Sequence, residues 1–309
     1  MKCPQSVILT ALLLLPALAQ AQPLVPLLGA PEDAAAYDYC AWQHKQGADT
    51  TGLATVQLTY DDEGSFTAAE RAAAALIDAG VASAQASKNH KACVKAFDKG
   101  KKDYDKQYAK EYTKLKKRDK FEPSKDAAIA EVQQKISTLW AEDQARRRAY
   151  SRFSQQRKPG TELWRSALSR AYGVLIDVES TTYMKTVLDQ YDWVDSHRFG
   201  ERISAHAWLL VQHADRDPAF QVLALDRMTP YLDNDGVSKS NYAYLFDRVA
   251  VNHDRKQRYG TQPIWECTDE GLHLAPLEEP DTVNERRATM GMGPVEESLA
   301  EMTRAVCGK

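Results

Sequence analysis

Apolar side chains recur every three, four or seven residues along most of this chain, which is the spacing of one face of an α-helix. The pattern predicts helices over 82–120, 124–157, 161–191, 201–214, 218–232, 241–252 and 281–307. Ser124 is the predicted N-cap of the second helix, and Asp217 followed by Pro218 is typical of a helix start. The helix over 161–191 could break at residues 180–182, where hydroxyl side chains weaken helical propensity. Residues 291–294 interrupt the last helix.

Two short segments follow a different pattern. Residues 259–265 and 272–277 alternate enough to predict two strands joined by a turn at 269–271. The predicted fold is therefore mainly α: a helical bundle-like domain with a small two-stranded β element. It is preceded by a smaller helical N-terminal region. We place the lysine-rich N-terminal region at 22–125 and the helical domain at 126–309.

Residues 1–21 have the features of a secretory signal peptide. Lys2 supplies a positive charge, residues 7–18 form an apolar run, and Ala19-Gln20-Ala21 fits a small-x-small cleavage site. The run is too short to span a membrane comfortably, and no later segment is apolar enough to cross one. We expect export, a periplasmic or secreted location, and a mature protein that is not transmembrane.

Four cysteines remain after the predicted cleavage. An even number in an oxidising compartment favours two disulfides, for which three pairings exist. We favour Cys40 with Cys93 and Cys267 with Cys307, because each pair then lies within one candidate domain. The spacings lack the close Cys-x-x-Cys pairs that are typical of zinc sites.

The segment 88–120 is predicted to form a strongly basic helix. Residues 88–125 contain 14 Lys or Arg against 6 Asp or Glu, although the whole chain has a net charge of −3. This could indicate an anionic partner such as nucleic acid, lipopolysaccharide or phospholipid headgroups. Alternatively, the lysines form a solvated face and pair with acids along the helix. The second explanation is favoured because no specific nucleic-acid-binding signature accompanies the patch.

Two histidines lie on the central predicted helix. His206 and His213 share one helix face within about 20°, but about 10 Å separates them along the axis. Helical zinc sites use histidines four residues apart, so this is a weak metal pattern, and no metal or other cofactor is predicted. His206 is interpreted as a core residue and a secondary ligand-binding candidate. His213, at the helix C-terminus, is the candidate general acid or base. Its neighbour Gln212 is a further ligand-binding candidate, and Asp215 is a candidate catalytic acid beside it.

Further polar candidates lie on other helices and at the predicted turn. Asp143 can pair with Arg147 four residues later, whereas Asp247 and Arg248 sit on an otherwise apolar helix, either exposed or in a buried network. Candidates for binding a small polar or anionic ligand are Tyr259, Thr261, Gln262, Arg286 and Arg287. The alternative for residues 259–262 is a structural turn, and the alternative for the two arginines is capping of helix carbonyls. The chain lacks a Gly-x-Ser-x-Gly elbow, a phosphate-cradling glycine loop and a dinucleotide fingerprint. These absences argue against serine hydrolases, P-loop enzymes and Rossmann dehydrogenases.

Several of these segments, in order, resemble the bacterial domain family DUF6624, which has no established activity. They are Leu139-Trp-Ala-Glu-Asp-Gln-Ala-Arg-Arg147, Ala205-His-Ala-Trp-Leu-Leu-Val-Gln-His-Ala-Asp215, Tyr244-Leu-Phe-Asp-Arg-Val249, Lys256-Gln-Arg-Tyr-Gly-Thr-Gln262 and Asn284-Glu-Arg-Arg287. The resemblance covers about 130–297 and implies candidate site residues without a reaction. The family tends to show Gly-Trp-Pro before the central helix, where this chain has Asp192-Trp193-Val194.

Two hypotheses about function follow. The first is a non-catalytic binding or interaction module of the cell envelope, built around a buried polar network. The alternative is a hydrolase or transferase that acts on a small polar or anionic substrate. In the alternative, His213 would be the general acid or base, oriented by Asp215, Asp143 or Asp247, and Arg248 would help to bind the substrate.

Overall fold

The computed structural model describes residues 90–150 and 161–308, with side chains for 91–149 and 164–308. The helices are α1 (His90–Arg118), α2 (Ala127–Tyr150), α3 (Thr161–Tyr191), α4 (Ser196–Phe199), α5 (Glu201–Gln212), α6 (Pro218–Met228), α7 (Lys239–Asn252), α8 (Val283–Thr289) and α9 (Val295–Cys307). The strands are β1 (Pro263–Thr268) and β2 (Gly271–Leu274). The predicted fold class, mainly α with a small two-stranded element, is confirmed. The predicted signal peptide and Cys40 lie outside the described residues.

The described chain divides into two compact units. One contains residues 90–106 and 161–175, and the other contains 107–150 and 176–308. In the first unit, Phe97 packs edge-to-face on Trp164 with ring centroids 4.8 Å apart, and Tyr104 stacks on Tyr172. Phe97 and Tyr104 are both buried, so the aromatic side chains of α1 form part of the core of this unit.

The main hydrophobic core of the second unit lies around α5. This helix packs against α2, α4, α6 and α7. The large apolar side chains that are fully buried between the start of α2 and the end of α5 include Ile136, Leu139, Met184, Leu188, Trp193, Phe199, Ile203 and Leu210. Because α5 is flanked by so many elements, the residues at its C-terminal end lie next to several helices at once. Among the described helices, none has the length and apolar character that a membrane span requires.

Two local predictions about helices need correction. Asp126, not Ser124, caps α2: its Oδ1 accepts hydrogen bonds from the backbone N–H groups of Ala128 and Ile129. Ser124 instead accepts one from the Asp126 backbone N–H. Helix α3 runs through residues 180–182 without a break. Ser180 is buried, and Ile176 and Met184, one turn away on either side, both belong to the core. Packing outweighs the weak intrinsic propensity of those residues.

The connection after α3 contains Asp192-Trp193-Val194, the residues at which this sequence departs from the pattern expected from the resemblance. Asp192 adopts a left-handed conformation with φ 62°, a region in which glycine is the least strained residue. Its carboxylate pairs with Arg227, and the Trp193 side chain that follows is fully buried. Asp192 therefore makes a turn that suits glycine, the residue expected at this position from the resemblance.

The hairpin is confirmed, with shifted bounds. Pro263 pairs with Leu274, and Thr268 pairs with Gly271 across a two-residue turn. The first strand begins four residues later than predicted, because the backbone N–H groups of Tyr259 and Thr261 donate to the Asp247 side chain instead of to a neighbouring strand. Helix α9 packs on β2, and the predicted disulfide between Cys267 and Cys307 is present, joining β1 to the end of α9.

Candidate functional site

His213 lies where α5 ends, and a buried carboxylate from another helix holds its ring. Its backbone N–H still donates to the Leu209 carbonyl, which places the side chain at the rim of the helix end. The ring Nδ1 lies 3.1 Å from both carboxylate oxygens of Asp143 on α2. The Asp143 side chain is only 1 % exposed, whereas the His213 side chain is 17 % exposed. One edge of the imidazole is therefore fixed by a buried acid while the ring still reaches solvent.

The same carboxylate belongs to a larger ionic network. Arg147 Nε donates to Asp143 Oδ1 at 2.6 Å, which confirms the predicted pair four residues apart on α2. A second nitrogen of that guanidinium, Nη2, donates to Asp177 on α3. The Gln144 side-chain amide donates to Asp143 Oδ2 at 2.9 Å. Three helices thus converge on a set of two acids, one guanidinium and one imidazole.

The two acids differ in proton affinity. Burial raises the pKa of Asp177 to about 6, with Arg147 opposing the shift and the charge of Asp143 adding to it. Burial would also raise the pKa of Asp143, but its contacts with His213, together with Arg147 and Gln144, outweigh burial and lower it. Two carboxylates face a single guanidinium, so the network has room for one more positive charge. Asp177, with its raised pKa, is the carboxyl group that can take up that proton.

The same residues can be considered as a metal site. Asp143, Asp177 and His213 each offer a ligand atom, and these atoms lie within 4.8 Å of one another. The Arg147 guanidinium already contacts both carboxylates, so a metal ion bound by all three residues would have to displace it. The geometry therefore fits an ion-paired acid–base network better than a preformed metal cage.

Asp215 follows His213 by two residues but has a different partner. Arg248 on α7 donates to it with two nitrogens, Nε at 2.6 Å and Nη2, in a bidentate pair. The amides of Gln221 and Asn252 also donate to its Oδ1. Asp215 therefore joins the loop after α5 to α7. Of the three acids that the sequence offered as orienting residues, it is Asp143 that contacts the imidazole.

Asp247, the residue before Arg248, organises the segment that leads into β1. Its fully buried carboxylate accepts backbone hydrogen bonds from Arg258 at 2.7 Å, from Tyr259 and from Thr261, and another from the Thr261 hydroxyl. Burial raises the pKa of Asp247, and these hydrogen bonds offset part of the increase. The side chain replaces the backbone partners that this irregular segment lacks.

Neighbouring residues complete this second network. The Gln257 amide donates to the carbonyls of Gln262 and Ala275 at 2.9 and 2.7 Å, and its oxygen accepts from the Gln262 backbone. Gln262 in turn donates to the Thr261 hydroxyl at 3.0 Å. Among the described residues, no hydrogen bond or ion pair joins His213 to Asp247 or to the segment 257–262. The sequence-predicted site residues are thus divided among separate contacts: His213 with Asp143, Asp215 with Arg248, and Asp247 with the segment 257–262.

The two arginines of α8 hold backbone carbonyls. Arg287 is buried and donates to the carbonyls of Tyr259 and Gly293 and to the Ser298 hydroxyl. Arg286 donates to the Arg258 and Glu278 carbonyls beside an open surface depression of about 600 Å³, which Tyr259 also lines. These contacts correspond to the structural alternative for the arginines, and a ligand-binding role for Arg286 stays a prediction.

His206 lies in a different environment from His213. Its ring stacks on Trp140 with centroids 3.9 Å apart, and its Nε2 lies 3.5 Å from an Asp119 oxygen. Burial lowers the pKa of His206 to about 4, which the Asp119 carboxylate opposes and the charges of Arg202 and Lys116 reinforce. The Nδ1 atom is buried without a hydrogen-bond partner in the described structure. His206 is therefore a neutral core residue held by stacking.

Sequence reasoning missed Asp177, Gln144 and Gln257. Asp177 left the clearest signal: it is an isolated acid in the apolar stretch Gly173-Val-Leu-Ile-Asp-Val178. A charged residue in such a stretch needs a partner when the helix is buried. Gln144 and Gln257 gave no comparable signal, because uncharged amides are common on exposed helix faces and in loops.

Comparison with known proteins gives a family and no function. The model of DUF6624, a family of unknown function, matches residues 130–308, which includes every residue of both networks. The resemblance predicted over about 130–297 is confirmed. The search of curated proteins and the search of solved structures found no match.

Proposed function

The chain belongs to DUF6624, a family of unknown function, and on that premise we propose that it is an exported envelope protein with acid–base chemistry at His213. It would act as a hydrolase or transferase on a small polar or anionic substrate. The observation that carries this proposal is the contact between His213 Nδ1 and the buried Asp143 carboxylate.

The contact defines what the ring can do. An imidazole whose Nδ1 faces a carboxylate keeps its proton on that nitrogen when neutral, so Nε2 carries the free lone pair. No described residue hydrogen-bonds to Nε2 of His213, and the ring is partly exposed. This nitrogen can therefore accept a proton from a substrate or from a water molecule, and Asp143 would stabilise the imidazolium that results.

Arg147 gives the site a means of attracting an anionic group. A guanidinium has five N–H donors, and the contacts with Asp143 and Asp177 use only two nitrogens. Its side chain is 37 % exposed. The remaining donors suit a carboxylate or phosphate oxygen of a substrate, whose negative charge Arg147 would help to hold beside the imidazole.

A second candidate function is the binding or interaction module. It is favoured by the Asp247 network, in which a buried carboxylate and two amides are satisfied by the protein's own backbone. In this case the His213 site would bind a polar ligand without turnover.

The proposal can be tested on the mature protein with chromogenic esters, phosphate esters and glycosides, and with a thermal-shift screen of small anions. If His213 is the acid or base, His213→Gln should lower kcat about 100-fold or more. His253→Gln is a matched control, because His253 caps the end of α7 as His213 caps α5, and it is exposed. Equal loss of activity in both variants would contradict the role of His213. A ligand whose binding depends on His213 but which is never turned over would favour the binding module.

Export is tested separately. We expect the protein recovered from cells to begin at Gln22, and N-terminal sequencing of the periplasmic or secreted fraction measures this directly. An uncleaved chain retained in the cytoplasm would exclude the envelope assignment and leave the chemistry of His213 unaffected.

A further inference from the structure

The first half of α1 carries a straight row of exposed lysines. We define the lysine strip as Lys91, Lys95, Lys99, Lys102 and Lys106, which are all exposed. Successive members are three or four residues apart, so the five side chains fall within about 80° around the helix and extend over about 22 Å along it. The strip lies within one compact unit, on a single uninterrupted helix.

The members of the strip have no ionic partners among the described residues. The ion pairs along α1 involve other lysines: Lys101 pairs with Asp105, and Lys114 pairs with Glu111. Asp98 and Asp103 flank the strip on either side, but neither forms an ion pair with it. The alternative in which acids along the helix pair with its lysines therefore does not apply to these five residues, whose ammonium groups face solvent.

The rest of this helix segment does not resemble a membrane-inserting or base-stacking surface. The opposite face is buried through Cys93, Phe97 and Tyr104, so its apolar side chains are not available to a partner. No aromatic side chain lies within the strip, and it contains no arginine. Stacking on nucleic-acid bases and bidentate contacts to phosphates both need residues that are absent from the strip.

We propose that the lysine strip docks the protein on an anionic lipid surface. Lysine ammonium groups are compact, hydrated charges that are attracted to anionic headgroups without inserting into the bilayer. A row of charges along one face of a helix can meet a plane along its length. Sites that follow a polyanion chain are instead typically grooves that enclose its backbone. This proposal is independent of the chemistry at His213.

Vesicle binding by the full mature chain tests the proposal. We expect the protein to sediment with phosphatidylglycerol vesicles at low salt and to be released as added salt screens the charges. It should not bind to phosphatidylcholine vesicles. Each lysine removed should lower the partition coefficient about fivefold, so Lys95→Gln/Lys99→Gln/Lys102→Gln should lower it about 100-fold. Glutamine has a helix propensity similar to that of lysine, so circular dichroism should be unchanged.

The matched control is Lys120→Gln/Lys125→Gln/Lys256→Gln, which removes the same charge at exposed positions outside the strip. Vesicle binding that survives in the control but is lost in the strip variant supports the proposal. Equal loss in both variants would show attraction by net charge alone and overturn it. Absence of vesicle binding by the wild type overturns it too. A third overturning result is binding to double-stranded DNA or lipopolysaccharide that depends on the strip while vesicles are ignored.

Discussion

Replacing Asp247 by alanine tests whether this carboxylate supports the segment before β1. The side chain is fully buried and accepts hydrogen bonds from three backbone N–H groups and the Thr261 hydroxyl. Alanine would leave all four donors without a partner in the protein. The helix itself would lose nothing, because alanine has the higher helix propensity.

The expected magnitude follows from those lost contacts. A buried donor without a partner costs about 1–3 kcal/mol, and removing one side of a buried charged network costs about 3–5 kcal/mol. We therefore expect Asp247→Ala to lower the free energy of unfolding by about 3–5 kcal/mol. Thr261→Val, which removes only the hydroxyl, should cost about 1 kcal/mol.

Urea unfolding followed by circular dichroism measures both changes. Asp226→Ala on the exposed face of α6 is the control and should stay within about 0.5 kcal/mol of the wild type, as surface substitutions usually do. If Asp247→Ala were as stable as this control, the carboxylate would not be what holds the segment, and the structural account of the second network would be wrong.

Three further predictions concern other parts of the second unit and α3. Folding raises the pKa of Asp177 from 3.8 to about 6, so the folded protein binds this proton more tightly than the unfolded chain. The stability that this protonation contributes should be complete below about pH 4 and lost as the pH rises through 6. Urea unfolding of Asp177→Asn at several pH values should not show this decrease. Cys267 and Cys307 close a loop with a sequence separation of 40, so Cys307→Ser should lower the free energy of unfolding by about 4 kcal/mol in the same assay. A wild-type protein whose stability does not change when a reductant is added would contradict this prediction. Gly260 has φ +66°, and an added Cβ would lie 2.6 Å from the Val295 side chain, so Gly260→Ala should lower the melting temperature. Gly173 lies within α3 with open space around it, so Gly173→Ala should raise the melting temperature slightly, because alanine has the higher helix propensity.

The helices were largely predictable, because each depends on neighbours along the chain. The apolar spacing located α5, α6 and α7 to within a few residues, and Asp217 caps α6 as predicted. Local rules failed where side chains from elsewhere intervene. Ser180 stays helical because it is buried against the core. Residues 259–262 are not a strand, because Asp247 takes the backbone N–H groups that a strand would share with its neighbour.

The candidate site shows the same division. Motif resemblance indicated His213, Asp143, Asp215 and Asp247 as a group, and the family match covers them all. The sequence left open which acid meets the imidazole. Asp215, the nearest along the chain, pairs with Arg248, and the contact goes to Asp143, 70 residues away. Asp177 also belongs to this network, although the sequence analysis did not predict it as a site residue.

What the amino-acid sequence determined by itself is the helical pattern, the start of α6, the hairpin and the family. These follow from short-range periodicity, turn chemistry and residue type, which require no knowledge of distant segments. Only the tertiary structure decided that α2, α3 and the end of α5 meet at one ionic network, and that Asp247 instead bonds to the segment before β1. The packing of helices fixes those contacts, because a buried charge finds its partner across helices according to how they are arranged in space.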